Sequence, residues 1–238
     1  MKHLILPVLV LVPAIASAKT LAGSPAPAIV RVSAEATVSR APDRVYIDVG
    51  VRTVAPSPNV AAADNATRLA RVIAAVRKVS GPGAQLTTTG YTMAPQYQYH
   101  SDGKPPTPTG YVVTNQVQVR LDDLGRIAAV IDAANGAGAN LQQDLRFALR
   151  DPQAVRLRAL ARAAHRAREE ADALATALGL RVVRIVSVEA GGTGGVRVGP
   201  RLYQQAMQGP RAGSPTPIES GTIPVSASVN MAVVVAPR

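Results

Sequence analysis

The side chains that most often perform bond chemistry are scarce in this sequence. The 238 residues include three histidines and no cysteine, which excludes a thiolate nucleophile and a cysteine-ligated metal. His100 lies in a turn rich in Gly and Pro, and His165 lies on the polar side of a predicted helix. Neither histidine has the H-x-x-H or H-E-x-x-H spacing that binds zinc from one helix face. We therefore predict no metal site and no cofactor-binding residue.

The other candidates for catalysis have simpler structural explanations. No G-x-S-x-G motif occurs, so no serine is placed on the sharp turn that exposes a nucleophile. The adjacent acids at 122–123 are typical of a helix cap, and those at 169–170 are typical of a solvated helix face. The glycines of 191–195 lack the Lys-Ser/Thr pair of a phosphate-binding loop. The sequence therefore favours a protein that is not an enzyme, with no catalytic residue assigned.

Arginine gives the chain its strong positive charge. The formal net charge is +11, from 26 Lys and Arg against 15 Asp and Glu. A basic chain can bind anionic lipid or other acidic ligands. The candidate anion-binding residues are Arg197, Arg201 and Arg211 in a predicted loop, and Arg162 and Arg166 on a predicted helix. Acidic residues interleave with the helix arginines and no aromatic stacking platform accompanies them, so we expect no nucleic-acid binding.

The first residues predict export. Lys2 and His3 precede an apolar run, which ends in Ala16-Ser17-Ala18, the small-x-small pattern that signal peptidase accepts. The run is shorter than the roughly 20 apolar residues that cross a bilayer. We predict a signal peptide over 1–18, cleavage after Ala18, and a flexible segment over 19–29. The mature chain, with one domain over 30–238, is then expected in the periplasm without a transmembrane segment.

Hydrophobic periodicity predicts the elements that follow. Strands with period-2 alternation and helices with apolar residues three and four apart occur in the order ββα–ββα–βα–ββ. This order predicts an α+β fold with a largely antiparallel sheet and three helices. We expect 30–38 and 45–52 to pair as a hairpin, and 140–150 to form one strand. The segment 191–221 has eight Gly and four Pro, which predicts a mobile loop.

The longest predicted helix begins after Asp151 and Pro152 and ends at Gly179. We expect one apolar stripe to bury it, because six residues recur at steps of four and three. They are Leu160, Ala164, Ala167, Ala171, Leu174 and Leu178. The charged residues on its other faces are then left to solvent.

Several short motifs, taken in order, resemble the SIMPL-domain family from about residue 30 to 236. They are Val32–Val38 with Ala41–Arg44, Pro95–Tyr99, Gly110-Tyr111, Asn115, Asp123-Leu124, Ile131–Ala134, Gly138–Asn140, Phe147–Pro152 and Pro217–Gly221. The sequence departs from the family at Ala34-Glu35-Ala36, where Gly-x-Gly is frequent. No single motif is specific, and the resemblance depends on their order and spacing.

The resemblance implies an α+β fold of two interleaved parts, which we place at 30–93 with 181–238 and at 94–180. It also implies ring-like homo-oligomers and an envelope or stress-related role, and it brings no catalytic residues. We therefore expect a non-enzymatic periplasmic protein that self-associates through strand edges and its long helix. The alternative is a basic periplasmic module that contacts anionic lipid or other acidic envelope components.

Overall fold

The computed structural model describes residues 27–101, 104–141, 144–191 and 220–238. In chain order its elements are β1 (Ile29–Arg40), β2 (Arg44–Ala55), α1 (Pro58–Ser80), β3 (Gln85–Gln98), β4 (Thr107–Leu121), α2 (Ile127–Gly136), β5 (Asp144–Ala148), α3 (Pro152–Ala177), β6 (Leu180–Ala190) and β7 (Ile223–Pro237). The predicted α+β class and the order ββα–ββα–βα–ββ are confirmed. The predicted signal peptide, most of the 19–29 segment and most of the 191–221 loop lie outside the described residues.

The strands form two antiparallel sheets. The four-stranded sheet has the order β3-β4-β2-β5, and the three-stranded sheet has the order β1-β7-β6. β3 and β4 form a hairpin, but the predicted hairpin of 30–38 with 45–52, which are β1 and β2, is wrong. β1 pairs with β7 from Ile29–Val234 to Arg40–Ile223, whereas β2 pairs with β4 and β5. An alternating pattern shows which face of a strand is buried, but it does not show which other strand it pairs with.

The sequence-based subdomain boundaries stay a prediction, and β1 and β2 belong to different sheets. The short segment 41–43 carries the chain from one sheet to the other. At its end, the Asp43 side chain accepts the backbone N–H of Arg150 at 2.6 Å. This bond ties the crossing to the start of α3, so the two sheets meet there.

The core of the four-stranded sheet lies beneath α1 and α2. Its main residues are Val45, Ile47, Val49 and Val51 of β2, Val117, Val119 and Leu121 of β4, Leu69, Val72 and Val76 of α1, and Val130 of α2. Burial of one such side chain contributes about 1.5–3 kcal/mol. This packing fixes which face of the sheet the two helices cover, and it leaves the opposite face without a helix.

α3 packs on the three-stranded sheet through small side chains. Its buried residues are Val155, Ala159, Ala163, Ala167, Ala171 and Ala175. The predicted stripe is therefore partly wrong, because Leu174 and Leu178 are 47% and 66% exposed. The sheet presents Ala34 and Ala36 to the helix, and alanine against alanine brings helix and strand close together. That approach leaves no room for leucine at the contact.

The predicted strand 140–150 is shorter in the structure, where β5 spans Asp144–Ala148. At the start of the predicted range, the side chain of Asn140 makes the hydrogen bonds to β2 that a strand backbone would make. The backbone N–H groups of Asn140 and Leu141 donate to the Gly50 carbonyl at 3.0 and 3.3 Å. The Asn140 amide then pairs with the backbone of Arg52: its Oδ1 accepts the N–H at 2.7 Å and its Nδ2 donates to the C=O at 2.9 Å. β5 begins only at Asp144.

A partly buried ion pair joins the start of β2 to the end of β4. Arg44 donates to both carboxylate oxygens of Asp122, at 2.7 and 3.1 Å, and Arg150 Nε lies 3.4 Å from Asp122 Oδ2. The hydrogen bond from Arg44 holds the pKa of the Asp122 carboxyl below its usual range, and it raises the pKa of Arg44. Of the two acids at 122–123, Asp123 caps the single 3₁₀ turn Leu124–Arg126 that precedes α2, because its Oδ1 accepts the N–H of Gly125.

We expect Gly50→Ala to destabilise the fold by about 1–3 kcal/mol, as overpacking does. A Cβ at this position would lie 2.5 Å from Leu141 Cδ1 and 2.7 Å from the Asn115 carbonyl oxygen. Urea unfolding followed by circular dichroism measures the loss. Gly83→Ala is the matched control, since its Cβ meets no atom within 4 Å, and it should change stability by less than about 0.5 kcal/mol. Equal effects of both substitutions would contradict the close approach at Gly50.

We expect Asp122→Asn to cost up to about 1 kcal/mol near neutral pH. The folded-state pKa of Asp122 is lowered, so its stabilisation is complete above the unfolded pKa of about 3.9 and disappears as the pH falls through the folded value. The difference between wild type and variant should therefore narrow in strong acid. Asp172→Asn, which removes an exposed pair with Arg168, is the control with a smaller effect. A pH-independent loss for Asp122→Asn would contradict the ion-pair explanation.

Candidate association surface

β6 is the outer strand of the three-stranded sheet, and most of it is exposed. No strand pairs with its second edge in the part of the chain that the structure describes. Four large apolar side chains, all about half exposed, occur in six consecutive residues. They are Val183, Ile185, Val186 and Val188. Single exposed apolar residues are common on protein surfaces, whereas a contiguous group marks a contact site.

These side chains are exposed because α3 lies over β1 and β7. The buried cluster beneath the helix contains Val32 and Ala34 of β1 and Val229 and Val233 of β7. From β6 it takes only the first residues, Leu180 and Val182. The rest of β6 extends past the edge of the helix and belongs to no buried apolar cluster of the described residues.

The end of α3 adds two leucines next to β6. Leu174 lies in the last turn of the helix, and Leu178 directly follows its end. Gly179 then takes a left-handed φ of 71°, a conformation that favours glycine, and the chain turns straight into β6. We call the exposed residues Leu174, Leu178, Val183, Ile185, Val186 and Val188 the β6 flank.

Two register shifts sort the β6 side chains onto two faces. Ile185 is opposite Val233 of β7 and Val188 is opposite Met231, and both partners are buried under α3, so Ile185 and Val188 point to the helix side. Arg184 is opposite Val234 and Glu189 is opposite Asn230, on the other side of the sheet. Val183 and Val186 are the extra residues at the two shifts. β6 thus has an apolar pair on one face and an opposite-charge pair on the other.

A shallow groove of about 310 Å³ crosses the helix-free face of the same sheet. Its polar lining consists of Arg31, Ser33, Ser187, Glu189 and Asn230. A serine nucleophile requires a neighbouring base, and this lining contains no histidine or lysine. The groove can accept a side chain or a small ligand.

Sequence reasoning missed one arginine cluster, on the helix-free face of the four-stranded sheet. Tyr46 pairs with Arg120 of β4 and with Arg146 of β5, and the Arg146 guanidinium lies 4.7 Å from the Tyr46 ring centroid. Arg120 Nε is buried without a hydrogen-bond partner. Only the pairing of three strands brings these residues together. Their signal in the sequence is a basic residue at a polar strand position, which is too common to be specific.

The predicted anion-binding residues are only partly described. Arg162 and Arg166 are both exposed on α3, and Arg166 Nη1 donates to the Glu35 carbonyl at 2.9 Å. Arg197, Arg201 and Arg211 lie outside the described residues, so the grouping of all five stays a prediction.

The two histidines among the described residues lie in different parts of the fold. His100 Nε2 lies 3.1 Å from Thr107 Oγ1, and His165 is exposed on α3. In the described ranges no three His, Asp or Glu side chains gather in a way that could hold a metal ion. Nor is any described helix both long enough and apolar enough to span a membrane.

Comparison with known proteins places this architecture in a family. Residues 30–233 match SIMPL, a family described as a protein of unknown function (DUF541). The 26 kDa periplasmic immunogenic protein of Brucella melitensis is 32% identical over 166 residues, which is 67% of this chain and 66% of that protein. The matched region thus spans slightly less than two thirds of that relative's length.

More distant matches add little. An uncharacterized protein, YggE, of Edwardsiella ictaluri is 25% identical over 156 residues, 66% of this chain and 65% of its own length. A hydantoinase/carbamoylase-family amidase from Burkholderia phymatum matches 51% of this chain and 30% of its own with a TM-score of 0.24 and 12% identity, which is too weak for any argument. The family match and the Brucella relative together show that this chain is a member of the SIMPL family, as its motifs predicted.

Proposed function

We propose that this chain is an exported, non-enzymatic periplasmic protein that self-associates through the free edge of β6. The observation that carries the proposal is that β6 is complementary to itself. The relative from Brucella melitensis is named as a periplasmic protein, which supports the location. An envelope role, including tolerance of envelope stress, is part of the same proposal.

The self-complementarity appears when two copies of β6 are aligned antiparallel about the point between Val186 and Ser187. Ile185 of one copy then lies opposite Val188 of the other, and Arg184 lies opposite Glu189. In an antiparallel pair, opposite residues point to the same side of the sheet. The register against β7 places Ile185 with Val188 on one side and Arg184 with Glu189 on the other. Apolar side chains therefore meet on one face, and opposite charges meet on the other.

Twofold symmetry doubles each of these contacts. An isologous interface uses the same patch on both copies, so Arg184–Glu189 and Ile185–Val188 each occur twice. The two three-stranded sheets would become one sheet of six strands. With the axis perpendicular to the sheet, both α3 helices lie on the same face, with the Ile185 and Val188 side chains in the valley between them. The apolar residues that α3 leaves uncovered would be covered by the partner.

The two register shifts in β6 act against indiscriminate pairing. A bulge bends a strand and interrupts its row of backbone donors and acceptors, which weakens pairing with an arbitrary strand. Association then depends on side chains that match, as they do between two copies of β6. This dependence makes the proposal testable by exchanging charges.

We expect Arg184→Glu and Glu189→Arg each to weaken self-association about tenfold, because each replaces two attractive pairs per dimer by two repulsive ones. The double variant Arg184→Glu/Glu189→Arg restores the pairs with reversed polarity and should recover most of the affinity. The full chain, expressed with its own N-terminus and purified from the periplasm, is measured by light scattering and sedimentation over a range of concentrations.

Arg158→Glu is the matched control, since Arg158 is exposed on α3 and the charge change is the same. It should leave the mass distribution as in the wild type. A wild-type chain that stays monomeric at high concentration contradicts the proposal. The proposal is also contradicted if the double variant associates as weakly as the single variants.

A further inference from the structure

A second exposed apolar surface lies on the four-stranded sheet, far along the chain from β6. In the outer half of β3, every second residue from Tyr91 is apolar or aromatic and exposed. We call Tyr91, Met93, Tyr97 and Tyr99 the tyrosine row. Tyr99 directly follows β3 and is 79% exposed. At about 3.4 Å per residue, a strand from residue 91 to 99 extends roughly 27 Å.

The row is exposed because α1 does not reach it. Near its beginning, α1 contacts the sheet through Ala61, whose carbonyl accepts the Thr53 hydroxyl at 2.8 Å, and through Asn65. The Asn65 amide donates to the carbonyls of Val51 and Val113. β3 and β4 then continue as a two-stranded arm, with Tyr97 opposite Pro108. No described element covers the arm on the side of the row.

The arm differs from the rest of this basic chain in its charge. No Asp, Glu, Lys or Arg occurs from Gln85 to Tyr99, in a chain of net charge +11. On the same face, the cross-strand partners in β4 of Tyr91, Met93 and Tyr97 are Asn115, Val113 and Pro108, and none of them is charged. An uncharged surface gives no electrostatic gain to phosphate or carboxylate groups. The ligand that it suits is therefore a neutral one.

Unsatisfied hydrogen-bond acceptors mark the inner end of the row. Asn115, which is opposite Tyr91 in the ladder, has a buried Oδ1 with no donor. The Oδ1 of Asn65, a residue that is 1% exposed, has no donor either. Buried acceptors without partners are rare and costly. Both atoms are closed to solvent, so a ligand hydroxyl could reach only the Asn115 Oδ1 next to the row, and only where the neighbouring side chains move aside.

We propose that the tyrosine row binds a neutral, extended sugar chain. A sugar ring has an apolar C–H face and a rim of hydroxyl groups, and tyrosine offers the matching combination of a flat apolar ring with a polar end. Binding sites of this kind combine aromatic side chains with a few polar groups that fix the orientation. The length of the row suits a ligand of several rings.

Two other occupants fit the row less well. Strand addition by a second copy is less favourable here, because Pro95 lacks the N–H that such pairing uses, whereas β6 contains no proline. An acyl chain requires a groove that encloses it, whereas the row stands on a flat edge strand. The inference goes beyond self-association, because it concerns the other sheet and a different ligand.

The test uses chitohexaose, cellohexaose and maltohexaose with the full chain. The chain has no Trp, and three of its six Tyr are in the row, so tyrosine fluorescence is sensitive to a ligand bound there. We expect at least one hexasaccharide to change this fluorescence saturably, and isothermal calorimetry to give the same affinity. Tyr97→Ala should weaken binding about five- to tenfold, whereas Tyr97→Phe should retain most of it, because stacking requires only the ring.

Tyr99→Ala provides a second variant that can hardly disturb folding, because its side chain is almost fully exposed. Tyr46→Phe is the control outside the row and should bind as the wild type does. Arg184→Glu should bind sugar normally even where it weakens association, so failures of the two proposals are distinguishable. Absence of binding by all three sugars overturns the inference, as does unchanged binding by both alanine variants. A Tyr97→Ala variant that loses subunits without any sugar binding would assign the row to subunit contact instead.

Discussion

The contact between α3 and the three-stranded sheet determines what the rest of this protein can do. Alanines on the helix face alanines and valines on β1 and β7, so helix and sheet approach closely over a narrow strip. A helix seated on larger side chains would stand further from the sheet, and its flanks could shelter a third strand. Here α3 does not cover most of the third strand, β6. Its apolar side chains and the leucines at the end of α3 are the consequence of a close but narrow contact.

Local patterns predicted much of the fold, and they failed where a partner had to be chosen. The periods of two and of three to four predicted the strands and helices in their correct order, because one covered face imposes the period of its element. The same alternation in β1 did not show that its partner lies at the other end of the chain. For α3, leucines were expected at the contact because they are the more hydrophobic residues. The contact selects for small size instead, and a single sequence cannot reveal what it faces.

The candidate surfaces could be predicted only in part from the sequence. Strand edges were expected to mediate association, but the matching of Arg184 with Glu189 depends on bulges that shift the alternation of β6. Without them, Ile185 and Val188 would point to opposite faces. The tyrosines were visible in the sequence as well, yet their exposure depends on where along the sheet α1 begins. The cluster of Arg120, Tyr46 and Arg146 arises only from the order of three strands.

The side chain of Asn140 affects how much of β2 is open to strand addition by other copies of the chain at high concentration. β5 has five residues and β2 has twelve, so β5 leaves much of the β2 edge uncovered. An open edge of backbone donors and acceptors is a template for strand addition and aggregation. The Asn140 amide occupies the N–H and C=O of Arg52, which extends the cover of this edge beyond Asp48, the last β2 residue that β5 pairs with. One side chain thus shortens the stretch of β2 that is open to strand addition, without the length of a further strand.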